Sequence, residues 1–62
     1  EIYERLLTDA PRVLPHGGWL VMELGYNSRD RVMEMLRAGW RDVQVVPDLA
    51  GIPRVLAARW EP

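Results

Sequence analysis

The segment Leu14-Pro15-His16-Gly17-Gly18-Trp19-Leu20-Val21-Met22-Glu23-Leu24-Gly25-Tyr26 constrains the fold of this chain more than any other. A turn rich in Pro and Gly leads into an almost unbroken apolar run. The run ends in an acidic residue, a glycine and an aromatic. A strand apolar on both faces belongs inside a parallel sheet with helices over both sides. Sixty-two residues cannot supply that cover. A chain this short buries only about 60% of the surface that its unfolded form exposes. The run therefore predicts that residues 1–62 are a single partial domain, a piece of a larger α/β fold.

Composition removes several classes of function. There is no Cys, hence no disulfide and no thiolate metal site, and the one His cannot form a His-rich metal cluster. A cysteine-free chain is compatible with a reducing cytoplasm. The eight cations are all Arg, at positions 5, 12, 29, 31, 37, 41, 54 and 59, against nine Asp and Glu. They form no basic block, which argues against a nucleic-acid face. No apolar stretch approaches the roughly 20 residues that span a bilayer. Glu1 and Glu4 stand where a signal peptide would carry basic residues. The chain opens inside an expected helix with no initiator Met, which again reads as a fragment.

Periodicity supplies the elements. Tyr3, Leu6, Leu7, Ala10 and Leu14 recur at three- and four-residue steps and predict an amphipathic helix from residue 1 to about 14. Within it, Pro11 either kinks the helix or sits near the start of a short final turn that Thr8 or Asp9 begins. Pro15 and Gly17-Gly18 turn the chain. A first strand covers 18 or 19 to 24, with Trp19, Val21 and Glu23 on one face and Leu20, Met22 and Leu24 on the other. Asn27 or Ser28 is placed to cap a second helix over 28–38, with Asp30 in its first turn. Its apolar stripe is Val32, Met35, Leu36 and Trp40. Gly39 takes the left-handed position after its last turn, with Trp40 folded back on it. A second strand spans 42–46, and Pro47 directly after it marks a sheet edge. A loop, 48–53, carries Gly51 at positive φ, and a third strand spans 54–60. The short connection makes the last two strands an antiparallel hairpin.

Few residues stand out chemically. Glu23 lies near the carboxyl end of an apolar strand, where open α/β sheets place their ligands. Its other reading is structural, as an ion pair with Arg54 at the start of the third strand. Tyr26 either rims such a site or covers the start of the second helix, with packing favoured. Gly25 permits a tight turn or a close backbone approach. Asp48 shapes its loop or pairs with Arg54. His16 reads as a solvent-exposed turn residue. Trp19, Trp40 and Trp60 are not interleaved with cations and read as core and rim packing. Met33, Met35 and Leu36 read as core.

The order helix–strand–helix–strand–strand, with a final antiparallel strand, resembles the C-terminal half of a class I S-adenosylmethionine-dependent methyltransferase. APRVLPHGGWLVMELGY followed by RAGWRDVQVVPDLAGIPRVLAARW is similar to the C-terminus of the HemK/PrmC proteins. These are the release-factor N5-glutamine methyltransferases. MELGY and DLAGIPRVLAAR are the more specific segments; PHGGW alone is common to many methyltransferases, and His16 departs from the basic residue often seen there. The resemblance covers essentially the whole chain. It implies a Rossmann-like methyltransferase sheet ordered 18–24, 54–60, 42–46, with Pro47 on the outer edge. It also implies a cytoplasmic parent enzyme that uses S-adenosylmethionine to methylate a glutamine side-chain amide of a peptide-chain release factor.

The family's Gly-rich loop after its first strand, its acidic residue after its second and its Asn-Pro-Pro-Tyr motif do not occur in this sequence. Accordingly no catalytic, cofactor-binding or metal-binding residue carries over, and the chain alone is expected to be inactive and to hold no cofactor. Glu23, Gly25, Tyr26, Asp48 and Arg54 are candidates for the wall or rim of the pocket in the parent enzyme. The rival readings are a stand-alone interaction module of methyltransferase-like topology and another class I methyltransferase with a different acceptor. In the parent fold an earlier strand covers the free side of strand 19–24. The chain by itself is therefore expected to self-associate through that apolar edge.

Overall fold

A computed structural model describes residues 2–62; Glu1, counted above in the first helix, lies outside the described residues. The elements are α1 (Ile2–Val13), β1 (Gly18–Glu23), α2 (Arg29–Met35), β2 (Trp40–Pro47) and β3 (Pro53–Trp60). The three strands form one sheet in the order β1-β3-β2. β3 is antiparallel to both neighbours, so β1 and β2 run parallel to each other. This is an α/β arrangement with the expected strand order, and Pro47 ends an outer strand as expected.

Both helices lie on one face of the sheet. Leu7 of α1 and Val32 of α2 join Met22, Leu24, Leu56 and Ala58 in a single core. The register explains this set. Met22 stands opposite Leu56 and Leu20 opposite Ala58, so the even-numbered residues of β1 and β3 share the covered face. The odd-numbered residues share the other face, where Trp19 is 45% and Val21 62% exposed. β1 is thus apolar on both faces but covered on only one, as the length of the chain required.

Several local expectations need correction. α1 continues through Pro11 as one helix with no restart. Its outer side is also apolar: Ile2, Leu6 and Val13 are exposed. α2 stops at Met35 rather than at 38, because Leu36 adopts an extended backbone. Met33, expected in the core, is exposed. Neither Asn27 nor Ser28 caps α2 through its side chain: Ser28 occupies the cap position without a side-chain bond, and Asn27 is a left-handed turn residue at φ 61°.

Gly39 does have positive φ, 105°, but it serves the turn into β2 rather than the end of α2. A Cβ there would lie 2.6 Å from the Trp60 ring. Trp40 lies beyond the end of α2. It opens β2 and meets Trp60 edge-on, with ring centroids 5.0 Å apart.

β2 begins two residues earlier than expected because a bulge hides its start. Arg41 pairs with Arg59 and Gln44 with Ala57, which leaves one extra residue in β2. Asp42 absorbs it at φ 52°. An extra residue inverts the alternation of side chains along a strand. Trp40 can therefore share the covered face with Val43 and Val45, although its number is even and theirs are odd. The Asp42 carboxylate accepts a hydrogen bond from Arg59 Nε at 2.9 Å, which holds the bulge in place.

Candidate functional site

The five candidate residues gather at one end of the sheet, where β1 finishes and β3 begins. The Leu24 N–H donates to the Arg54 C=O at 2.7 Å, which fixes the end of β1 against the start of β3. The chain then turns sharply. The Gly25 C=O accepts from the Ser28 N–H at 3.1 Å, and the Val32 N–H donates to the Ser28 C=O at 3.0 Å. The Gly25 N–H donates to Tyr3 Oη of α1 at 2.7 Å. A Cβ on Gly25 would lie 3.2 Å from Ser28 Oγ and 3.3 Å from Tyr3 Oη. The close approach expected of this glycine is thus made by the first helix.

The loop between β2 and β3 is organised by Asp48. One carboxylate oxygen accepts the backbone N–H groups of Ala50 at 2.9 Å and Ile52 at 3.0 Å. The other accepts Arg54 Nε at 2.8 Å. These are charge-assisted bonds to the ionised form. The Arg54 guanidinium, and then the Ile52 N–H, hold the Asp48 carboxyl below its ordinary range. Gly51 closes the loop at φ 84°. Asp48 therefore has both roles foreseen for it. Among the described residues Arg54 pairs with Asp48 and not with Glu23. The Glu23–Arg54 pair fails because the two side chains leave the sheet in different surroundings. Glu23 stands opposite Val55 on the open face, while Arg54 sits one residue earlier, where the Asp48 loop folds back.

A shallow cleft separates the β1–α2 turn from the β2–β3 loop. Gly25, Asn27, Ser28 and Arg29 line one side, and Ile52 and Pro53 the other. Of the five candidates only Gly25 lines it. Tyr26 is 72% exposed, so its ring does not cover the start of α2. The sequence does not mark Asn27, Ser28, Arg29, Asp30, Ile52 or Pro53, which line the cleft, as site residues. Their signal in the sequence is their place in or next to the two turns that flank the sheet end.

The polar groups here are largely spent on one another. Gly25 N–H, Ser28 N–H, both Asp48 oxygens and Arg54 Nε are used within the chain, and Arg29 pairs with the adjacent Asp30 at 2.9 Å. The polar side chains that line the cleft are Asn27, Ser28, Arg29 and Asp30, and of these Arg29 and Asp30 pair with each other. Among the described residues no group of His, Cys, Asp and Glu can hold a metal ion, and no helix is long and apolar enough to cross a membrane. The arrangement can brace a wall. His16 is an exposed turn residue, as expected.

No family model matches the chain, and no solved structure matches it. Curated relatives do. The chain is 48% identical to the release factor glutamine methyltransferase of Koribacter versatilis over 95% of its own length. It is 36% identical to that of Coxiella burnetii over 87%, and 38% identical to that of Clostridium botulinum over 92%. In each case it spans only about a fifth of the relative.

Proposed function

We infer that this chain, a sequence relative of the release factor glutamine methyltransferases, is the C-terminal part of such an enzyme. The observation that carries the reading is the 48% identity over nearly all of the chain. The parent enzyme transfers a methyl group from S-adenosylmethionine to the side-chain amide of a release-factor glutamine, in the cytoplasm. Its sheet is the Rossmann-like methyltransferase sheet, of which β1, β3 and β2 are the last strands. Glu23, Gly25, Tyr26, Asp48 and Arg54 belong to the wall or rim of its pocket.

The contribution of these residues is positional. Tyr3 and Asp48 tie the two flanking turns to the body of the domain, so the end of β1 presents a fixed surface to whatever binds beside it. No step of methyl transfer is assigned to a residue of this chain, because the polar groups at the sheet end are engaged with one another.

The test is a transfer assay on the longer open reading frame that carries this segment. Release factor and labelled S-adenosylmethionine should give one added methyl group on a glutamine, located by mass spectrometry. Methylation of a different acceptor would overturn the substrate. The 62 residues alone should give no saturable binding of S-adenosylmethionine in calorimetry and no turnover.

A further inference from the structure

Two apolar side chains flank the cleft at the sheet end, one on each turn. Tyr26 stands on the β1–α2 turn and Leu49 on the β2–β3 loop, and both are exposed, Leu49 completely. A single exposed leucine is common on protein surfaces. Here the loop that carries it is fixed. The Asp48 N–H donates to the Ile52 C=O at 2.8 Å, and the Gly51 N–H to the Asp48 C=O at 2.9 Å. The Asp48 carboxylate accepts the N–H groups of Ala50 and Ile52, and Arg54 Nε from beyond the loop. None of these bonds draws Leu49 inward, and it belongs neither to the core nor to the side chains packed against the core. The polar groups of the loop thus hold a leucine out in water, where the fold gains nothing from its burial.

The place of the loop narrows what Leu49 can meet. The loop joins β3 to β2, and β2 lies at the opposite side of the sheet from the edge of β1 where earlier strands of the parent would join. That edge does not account for the exposure of Leu49. Charge narrows it further. The two arginines beside the cleft, Arg29 and Arg54, pair with Asp30 and Asp48. A polyanion meets neutralised cations there, whereas a polypeptide segment meets two apolar surfaces on which to pack.

We propose that Leu49 and Tyr26 are specificity-determining contacts for the protein substrate: apolar posts between which the release-factor segment around the acceptor glutamine lies as it enters the pocket. This rests on the reading of the parent as a release factor glutamine methyltransferase. The acceptor in that reaction is a side chain, so its backbone crosses the mouth of the pocket and neighbouring side chains reach the turns on either side. Neither residue touches the reacting atoms. Both act on binding of the protein substrate and leave the cofactor and the transfer step alone.

The test uses the longer enzyme that carries this segment, with whole release factor as substrate. Leu49→Asp should raise KM for release factor about tenfold, with kcat, S-adenosylmethionine affinity and melting temperature unchanged. Tyr26→Ala should raise KM as well. Leu49→Met, which keeps an apolar side chain of similar size, should keep the wild-type KM. A photo-cross-linking residue at position 49 should join enzyme to release factor, and the same residue in place of His16, exposed at the other end of the sheet, should not. A lower melting temperature for Leu49→Asp would mean that Leu49 packs against another part of the enzyme, and overturns the proposal. An unchanged KM, a fall in kcat alone or equal cross-linking at the two positions does so too. If the unsubstituted enzyme methylates release factor and Leu49→Asp does so equally well, the contact fails and the reading of the parent stands; if the unsubstituted enzyme leaves release factor unmethylated, both fail.

Discussion

Where β1 and β2 begin, the chain closes on Trp60; where β1 finishes, its turns are tied down around an open cleft. At the first end the Gly17 N–H donates to the Trp60 C=O at 2.7 Å, the Glu61 N–H to the Gly39 C=O at 2.7 Å, and Arg41 Nε to the Glu61 C=O at 3.0 Å. The Trp60 ring lies across Gly39 and edge-on to Trp40. At the second end the bonds run from Tyr3 and Asp48 to backbone at the margins, and the middle is left as a cleft. The first end is fastened by contacts to a large ring, the second by single polar side chains. The difference is one of roles: one end holds this piece of sheet together, and the other holds a surface in place for something else.

The sharpest way to break the contrast is at its two glycines. Gly39→Ala meets two obstacles at once, a left-handed backbone and a Cβ 2.6 Å from an indole ring. The backbone costs about 1–2 kcal/mol, and overpacking about 1–3 kcal/mol more. A loss of roughly 2–5 kcal/mol is a large share of the stability of a domain this small. Urea unfolding followed by tryptophan fluorescence should show the midpoint collapsing.

How much of this was legible in the sequence differs between the same two ends. Alternation and turn residues placed β1, β3 and the Gly51 loop within a residue or so, and the Asp48–Arg54 pairing was among the options. The Trp60 end is not legible in this way. Its bulge at Asp42 is held by Arg59 and Trp40 meets Trp60 across the sheet, and a local pattern cannot report contacts made about twenty residues away. The same holds for Tyr3, whose hydroxyl serves Gly25 twenty-two residues on. The site itself was legible as a place, the end of an apolar strand, but not as a list of lining residues. Which side chains line a cleft depends on how two turns face each other.

At the cleft end the matching substitutions should cost less. Tyr3→Phe removes the acceptor of the Gly25 N–H and leaves the ring in place. The Gly25 bond alone is worth about 0.5–1.5 kcal/mol, and a loss of at least that order is expected. Faster hydrogen exchange at Gly25, with β3 unchanged, would show that the loosening stays local. Gly25→Ala should cost less than about 1 kcal/mol. Its Cβ would sit 3.2 Å from Ser28 Oγ, a hydroxyl that makes no cap bond and can rotate aside, and 3.3 Å from Tyr3 Oη, which need give by only a few tenths of an ångström. A midpoint shift as large as that of Gly39→Ala would erase the proposed difference between the two ends.

The smallest effect is a pH response confined to the Asp48 loop. The Asp48 pKa is lowered in the folded chain, first by the Arg54 hydrogen bond and then by the Ile52 N–H. A carboxyl whose folded pKa is depressed contributes stability that is fully present above its unfolded pKa and lost as pH falls through the folded value. The loop should therefore be insensitive to pH across the neutral range and loosen only below the ordinary carboxylate range. Amide exchange at Ala50 and Ile52 should rise there while the exchange of β3 core amides such as Leu56 stays slow. Asp48→Asn, which keeps an acceptor but not the charge, should remove the acid dependence and partly keep the turn. If Asp48→Asn instead lowered the stability of the whole chain as much as a change at Gly39, the loop would be part of the fastening of the sheet, and the cleft would lose its standing as a surface held apart from the core.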